Sequence, residues 1–257
     1  MKIETNRIIS HVEVQGQGDT ALVFLHYWGG SSRTWRHVTE LLSPRFKTVA
    51  TDHRGWGRSS SGDGYSIEAL AEDALSVINR LGLERFVLVG HSMGGKTAQL
   101  MASKRPAGLV GLVLVAPASL GPSLFPLEQR AMMSHAYDSR ESVEATCLNV
   151  LTEKVLSRAD LQQVIEDSLS GTAEAKLAWP MEAMTEDLSS EAAKIQVPVL
   201  IIGGECDKVD PIAVLKSQVL PLIPHAKMHV LKNTGHLSPL ESPDELANHI
   251  SRFAEGL

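Results

Sequence analysis

The sequence predicts an α/β protein: a doubly wound, mostly parallel sheet with helices on both faces and a helical insertion. Three observations carry this expectation. Short apolar runs of strand length (Ala21–Leu25, Phe46–Thr51, Phe86–Val89, Leu109–Val115, Pro198–Ile202) recur with segments of helical spacing between them, the alternation that parallel pairing requires. Ala21–Leu25 is apolar at every position, so it is expected to be covered on both faces. Finally, the alternation stops at about Ala118 and resumes after Lys194. The expected core therefore spans 1–117 and 195–257, with a helical cap over 118–194.

In chain order, Arg7–Val14 reads as an edge strand and Gln15–Asp19 as the turn after it. The Gly16/Gly18 pair precedes a strand instead of opening a helix, so it is not a dinucleotide loop. After Ala21–Leu25, Ser31 or Ser32 caps a helix whose buried side is Trp35, Val38, Leu41 and Leu42. Ser66 opens a long helix with Ile67, Leu70, Ala71, Ala74, Ile78 and Leu81 on one face and Gly82 as its stop. Phe86–Val89 then runs into Gly90-His91-Ser92-Met93-Gly94, and helical spacing continues from Met93. This is G-x-S-x-G in the context of strand, sharp turn and helix, which lifts the central serine out of the sheet beside free backbone N–H groups.

Within the insertion, one helix is expected around Val143–Val155 and another over Arg158–Leu169, with Ser157 and Asp160 as a capping pair and Gly171 as stop. Phe125, Met132, Met133, Trp179, Met181 and Met184 are scattered through this stretch. As a packing layer they would fill gaps between helices; as a lid they would line a substrate pocket, and the resumed alternation favours the lid. The chain closes with the strand Lys227–Leu231, the loop Asn233–His236, and a capping box at Ser242-Pro243-Asp244-Glu245. The box opens a helix burying Leu246, Ile250 and Phe253.

Composition narrows the classes. A formal charge of -6 with no Lys/Arg stripe argues against a nucleic-acid partner. The two cysteines do not make a disulfide framework, which suits a reducing compartment. Neither a secretory leader nor an apolar run of membrane-spanning length is apparent, so a soluble cytoplasmic protein is expected. No H-E-x-x-H and no paired Cys/His spacing occur, so neither metal nor cofactor is expected. Oligomeric state is left open.

Three loops at the C-terminal ends of the expected strands, where open α/β sheets bind ligands, carry Ser92, Asp207 and His236. With LHYWGG, DHRGWGRSS, GHSMGG, GGECDKVDP and NTGHLSPLESP in this order, the chain from Ala21 to Phe253 resembles the α/β-hydrolases of the esterase, perhydrolase and C–C hydrolase type. The resemblance implies Ser92 as nucleophile and His236 as base. Two carboxylates compete to orient the histidine; the resemblance points to Asp207, leaving Asp210 as the cap of the helix at Pro211. It also implies an oxyanion hole from the backbone N–H groups of Met93 and Trp28. Tyr27 stands where the family carries glycine, so that loop is expected to be strained or reshaped. Dehalogenases and epoxide hydrolases of this fold carry aspartate in place of Ser92.

The expected activity is cleavage of a small ester, thioester or lactone through an acyl-serine. A C–C hydrolase or perhydrolase using the same triad is the alternative; a small-molecule receptor or cofactor-free oxygenase is the non-hydrolytic one. Candidate pocket residues are Tyr27, His91, Phe125, Trp179, Met184 and Leu237. His26 is read as a brace of its own loop and Arg54 as a bracing cation beneath the loops.

Overall fold

The computed structural model describes residues 1–257. Eight strands form one sheet, ordered β1-β2-β4-β3-β5-β6-β7-β8. They are β1 (Lys2–Glu4), β2 (Ile9–Gln15), β3 (Ala21–Leu25), β4 (Lys47–Thr51), β5 (Phe86–His91), β6 (Leu109–Val115), β7 (Val199–Gly204) and β8 (Lys227–Leu231). Pairing is parallel from β4 to β8 and antiparallel at β1–β2 and β2–β4. Alternate residues of the central strands enter different cores: Val23, Leu25 and Leu88 pack on one face, and Leu22, Phe24, Val87 and Val89 on the other. Both faces are apolar because both are covered, as the continuous runs predict.

Most elements lie where the pattern puts them, and several departures have physical causes. β1 was not foreseen: only Ile3 of its three residues points inward, too little for any period to show. Because β1 pairs outside it, β2 is not the edge strand. Ser31 caps a 3₁₀ turn (Ser32–Trp35) that feeds α1 (Arg36–Leu42), and the change of winding turns Leu41 out to solvent, 42% exposed, while Trp35, Val38 and Leu42 stay buried. The hydroxyl of Ser242 bonds Thr234 Oγ1 (2.7 Å) and Lys154 Nζ (2.6 Å), so it does not cap the closing helix, α10 (Pro243–Glu255).

Between β4 and β6 run α2 (Ile67–Arg80), capped by Ser66 as expected, and α3 (Met93–Ser103). The insertion between β6 and β7 holds α4 (Leu127–Met133), α5 (Arg140–Thr146, continued by a π turn to Leu151), α6 (Arg158–Ser170) and α7 (Ala173–Met181). Two 3₁₀ turns follow, Ala183–Thr185 and Ser189–Lys194. The helix expected around Val143–Val155 therefore starts and stops earlier. α6 is tied to α1 and the turn before it: Arg33 Nε reaches Asp167 at 2.9 Å and Arg36 reaches Asp160 at 2.5 Å. Short α8 (Ile212–Val214) and α9 (Ser238–Glu241) complete the chain, and no helix is long and apolar enough to cross a membrane.

Candidate active site

Ser92 stands between β5 and α3 with φ 53° and ψ −114°, a conformation that costs a non-glycine residue about 1–3 kcal/mol. The flanking glycines make the turn possible. A Cβ on Gly94 would lie 2.5 Å from the carbonyl oxygen of Leu25, and one on Gly90 would strike the carbonyl of Gly94. Strand and helix hold the corner from both sides. The Ser92 N–H donates to Val115 O (3.1 Å), and its carbonyl accepts from Lys96 (3.0 Å) and Ala118 (3.2 Å).

His236 and Asp207 meet on the neighbouring loops, Nδ1 to Oδ2 at 2.9 Å, both buried. The other carboxylate oxygen, Oδ1, accepts the N–H groups of Val209 (2.8 Å) and Asp210 (3.0 Å). Burial pushes the Asp207 carboxyl up, but His236 and these two donors outweigh it and hold the group below its ordinary value. An ionised Asp207 accepts from Nδ1–H and leaves Nε2 of neutral His236 with a free lone pair. Burial lowers the imidazole, yet the charge and hydrogen bond of Asp207, helped by Asp210 and Glu241, keep it above the ordinary histidine value.

Two cavities meet on Ser92. The smaller, about 280 Å³, runs along Ala118, Met184, Val209 and Asp210; the larger, about 530 Å³, is walled by Tyr27, Trp28, Tyr137, Met133 and His236. Phe125, Met133, Trp179, Lys208 and Val209 border both. The N–H groups of Trp28 and Met93 have no acceptor within the protein; Met93 is the first residue of α3, where helix donors are always unpaired. Tyr27 does not take the left-handed conformation. Gly29 does, at φ 96°, where a Cβ would lie 2.5 Å from the Tyr137 ring. The strain expected at Tyr27 is thus relieved two residues on, and Tyr137 fixes the loop by donating to Trp28 O at 2.9 Å.

Of the expected pocket residues, Phe125 and Trp179 border both cavities, Met184 the smaller and Tyr27 the larger. His91 and Leu237 do not reach them. His91 is fully buried beneath the loop, its Nε2 donating to His236 O at 2.9 Å and its ring 4.9 Å from that of His236. Leu237 is equally buried, its N–H donating to Leu151 O at 3.0 Å. Asp210 is not a helix cap: Pro211 occupies that place, and the Asp210 carboxyl has no hydrogen-bond partner and faces the smaller cavity. Burial, with Asp207 adding and His236 opposing, raises it to about 7.

The braces are as read from the sequence. His26 Nδ1 donates to Tyr27 O (2.6 Å) and Nε2 accepts from the His53 N–H (3.0 Å). Arg54, fully buried, donates to Asp73 (2.6 Å) and to the carbonyls of Asp63 and Gly64 (2.9 Å each). Glu241 was missed. Its Oε2 gathers the N–H groups of Glu153 (2.8 Å), Lys154 (2.9 Å) and Gly235 (3.1 Å), pinning the insertion to the residue before His236. The only sequence signal was a lone acidic residue in the turn LSPLES.

Residues 22–249, which hold both cavities and, but for Ala21, the six parallel strands, match the alpha/beta hydrolase family. The chain belongs to that family. Among its relatives is the 2-hydroxy-6-oxononadienedioate/2-hydroxy-6-oxononatrienedioate hydrolase of Paraburkholderia phymatum, 29% identical over 96% of this chain and 88% of that protein. The sn-1-specific diacylglycerol lipase of Mus musculus is also 29% identical, over 91% of this chain and 80% of its own. An esterase from Exiguobacterium antarcticum superposes with a TM-score of 0.90 at 21% identity, covering 99% of this chain and 98% of that one, a likeness of fold.

Proposed function

We propose that this alpha/beta hydrolase cleaves a small neutral carboxylic ester, thioester or lactone through an acyl-Ser92 intermediate. The observation that carries the reading is the convergence of Ser92, on its strained turn, and the Asp207-oriented His236 on one cavity. In this reading His236 Nε2 takes the Ser92 proton as Oγ attacks the carbonyl carbon. The N–H groups of Met93 and Trp28 hold the developing oxyanion. Collapse expels the alcohol, which leaves with the proton from His236; water activated by the same nitrogen then releases the acid and regenerates Ser92. The insertion, 118–194, acts as the cap that keeps bulk water from this step. Two free cysteines suit a reducing, cytoplasmic setting, and the net charge of -6 suits a small-molecule substrate over nucleic acid.

The Paraburkholderia relative supports a second reading, C–C cleavage with the same residues, since its name describes a hydrolase of dicarboxylates. The cavity walls favour the first. They carry no arginine and a single lysine, Lys208, with Asp210 on the same wall. A dianion would be poorly neutralised there. Labelling with a fluorophosphonate, then turnover of p-nitrophenyl acetate, butyrate and octanoate, tests the proposal. Modification confined to Ser92 with repeated turnover is expected. A different labelled residue, or one slow modification per chain without turnover, would remove the esterase reading and favour a receptor.

A further inference from the structure

The last strand and the closing helix assemble a side-chain group that the hydrolytic site does not use. His229 lies on β8, the edge strand, and Glu245 and His249 lie on α10. Four residues apart on a helix means one above the other on the same face. An imidazole nitrogen from each histidine and a carboxylate oxygen from Glu245 all lie within 4.8 Å of one another. The two rings are 3.6 Å apart between centroids, tilted by 41°. None of the three side chains makes a hydrogen bond or ion pair elsewhere in the protein, so their lone pairs are uncommitted. Both supports are rigid. His229 sits opposite Ile202 in the β7–β8 ladder, and α10 is anchored by buried Leu246 and Ile250.

We propose that His229, Glu245 and His249 form a zinc site that clasps β8 to α10. Two imidazoles and one carboxylate are a donor set that Zn²⁺ accepts, with water completing the tetrahedron. Mg²⁺ and Ca²⁺, which take oxygen shells, are not served by it. Tetrahedral bonds of about 2 Å set donor atoms about 3.3 Å apart, so the three must draw together by up to about 1.5 Å while the two rings swing out of their stack, a change of side-chain torsions. The segment between the clasped elements, from Val230 to Asp244, includes His236 and Glu241. The ion would therefore hold both ends of that loop without touching the reacting groups.

The test is calorimetric titration of the metal-stripped, tag-free full chain with Zn²⁺, beside Glu245→Gln and His249→Asn. One saturable site is expected in the wild type. Each variant should bind at least about tenfold more weakly, since loss of even an outer-shell partner costs that much. At one concentration Zn²⁺ should raise the wild-type Tm more than that of the variants, whose metal-free Tm values show that they fold. It should also slow amide exchange over 232–242. Absence of saturable binding, or equal binding in the variants, would overturn the site; unchanged exchange in that loop would overturn the clasp.

Discussion

Asp207 and Asp210 stand three residues apart, both beside His236, and their surroundings drive them to opposite behaviour. Asp207 receives two backbone N–H groups and the imidazole, so its charge is stabilised. Asp210 receives no donor and is raised to about 7. Asp207→Asn should lower kcat by about 10⁴-fold, since it destroys the tautomer that leaves Nε2 free, and Asp210→Asn by only a few-fold; equal losses would reverse the assignment. The pH profile separates them further. As the proposed base, His236 would work deprotonated, and the folded protein favours its protonated form, so kcat/KM should rise with pH through a midpoint above the ordinary histidine value. Asp210→Asn removes one of the charges holding that value up, so its midpoint should fall; a midpoint that does not move would sever Asp210 from His236. Ser92→Ala should cost at least about 10⁴-fold in kcat with Tm undiminished, because the alanine variant buries no less apolar surface. Substantial retained turnover would exclude Ser92 as nucleophile.

At the scale of elements, one buried ammonium ties the insertion to α3. Lys96, on α3 and wholly inaccessible, donates to Glu186 O (2.7 Å), Gly121 O (3.1 Å) and Met184 O (3.4 Å), stitching both ends of the insertion to the helix behind Ser92. Burial lowers its pKa to about 8. Lys96→Met fills a similar volume but leaves the carbonyls of Gly121 and Glu186 without a donor, while that of Met184 keeps the Ser123 N–H, and should destabilise the fold by about 2–4 kcal/mol. Amide exchange should quicken around 121–124 and 184–188 before it does in β3 or β5. Uniform acceleration across the sheet would show that Lys96 supports the global fold and not the insertion alone. In the sequence Lys96 looks like any polar residue after a glycine pair; its burial depends on carbonyls 25 to 90 residues away.

Across the whole molecule, sheet and insertion divide the work. The sheet presents Ser92, Asp207 and His236, and the insertion supplies Phe125, Trp179 and Met184 to the walls around them. Each methylene buried by such walls is worth about 0.8 kcal/mol, roughly fourfold in affinity. Trp179→Ala or Phe125→Ala should therefore change the ratio of kcat/KM between octanoate and acetate esters more than it changes acetate turnover. A lowered Tm with an unaltered ratio would mean that these residues only pack helices. Strands β2 to β8, the serine turn and the Ser66 and Ser157 caps were legible in the chain itself, because each follows from periods and turn residues within a few positions of one another. The hydroxyl of Ser242, the uncapped carboxyl of Asp210, the three donors on Glu241 and the pairing of His229 with His249 were not. For each, the partner is supplied or withheld by a distant segment, and only packing decides whether a side chain finds its nearest neighbour in sequence or one across the fold.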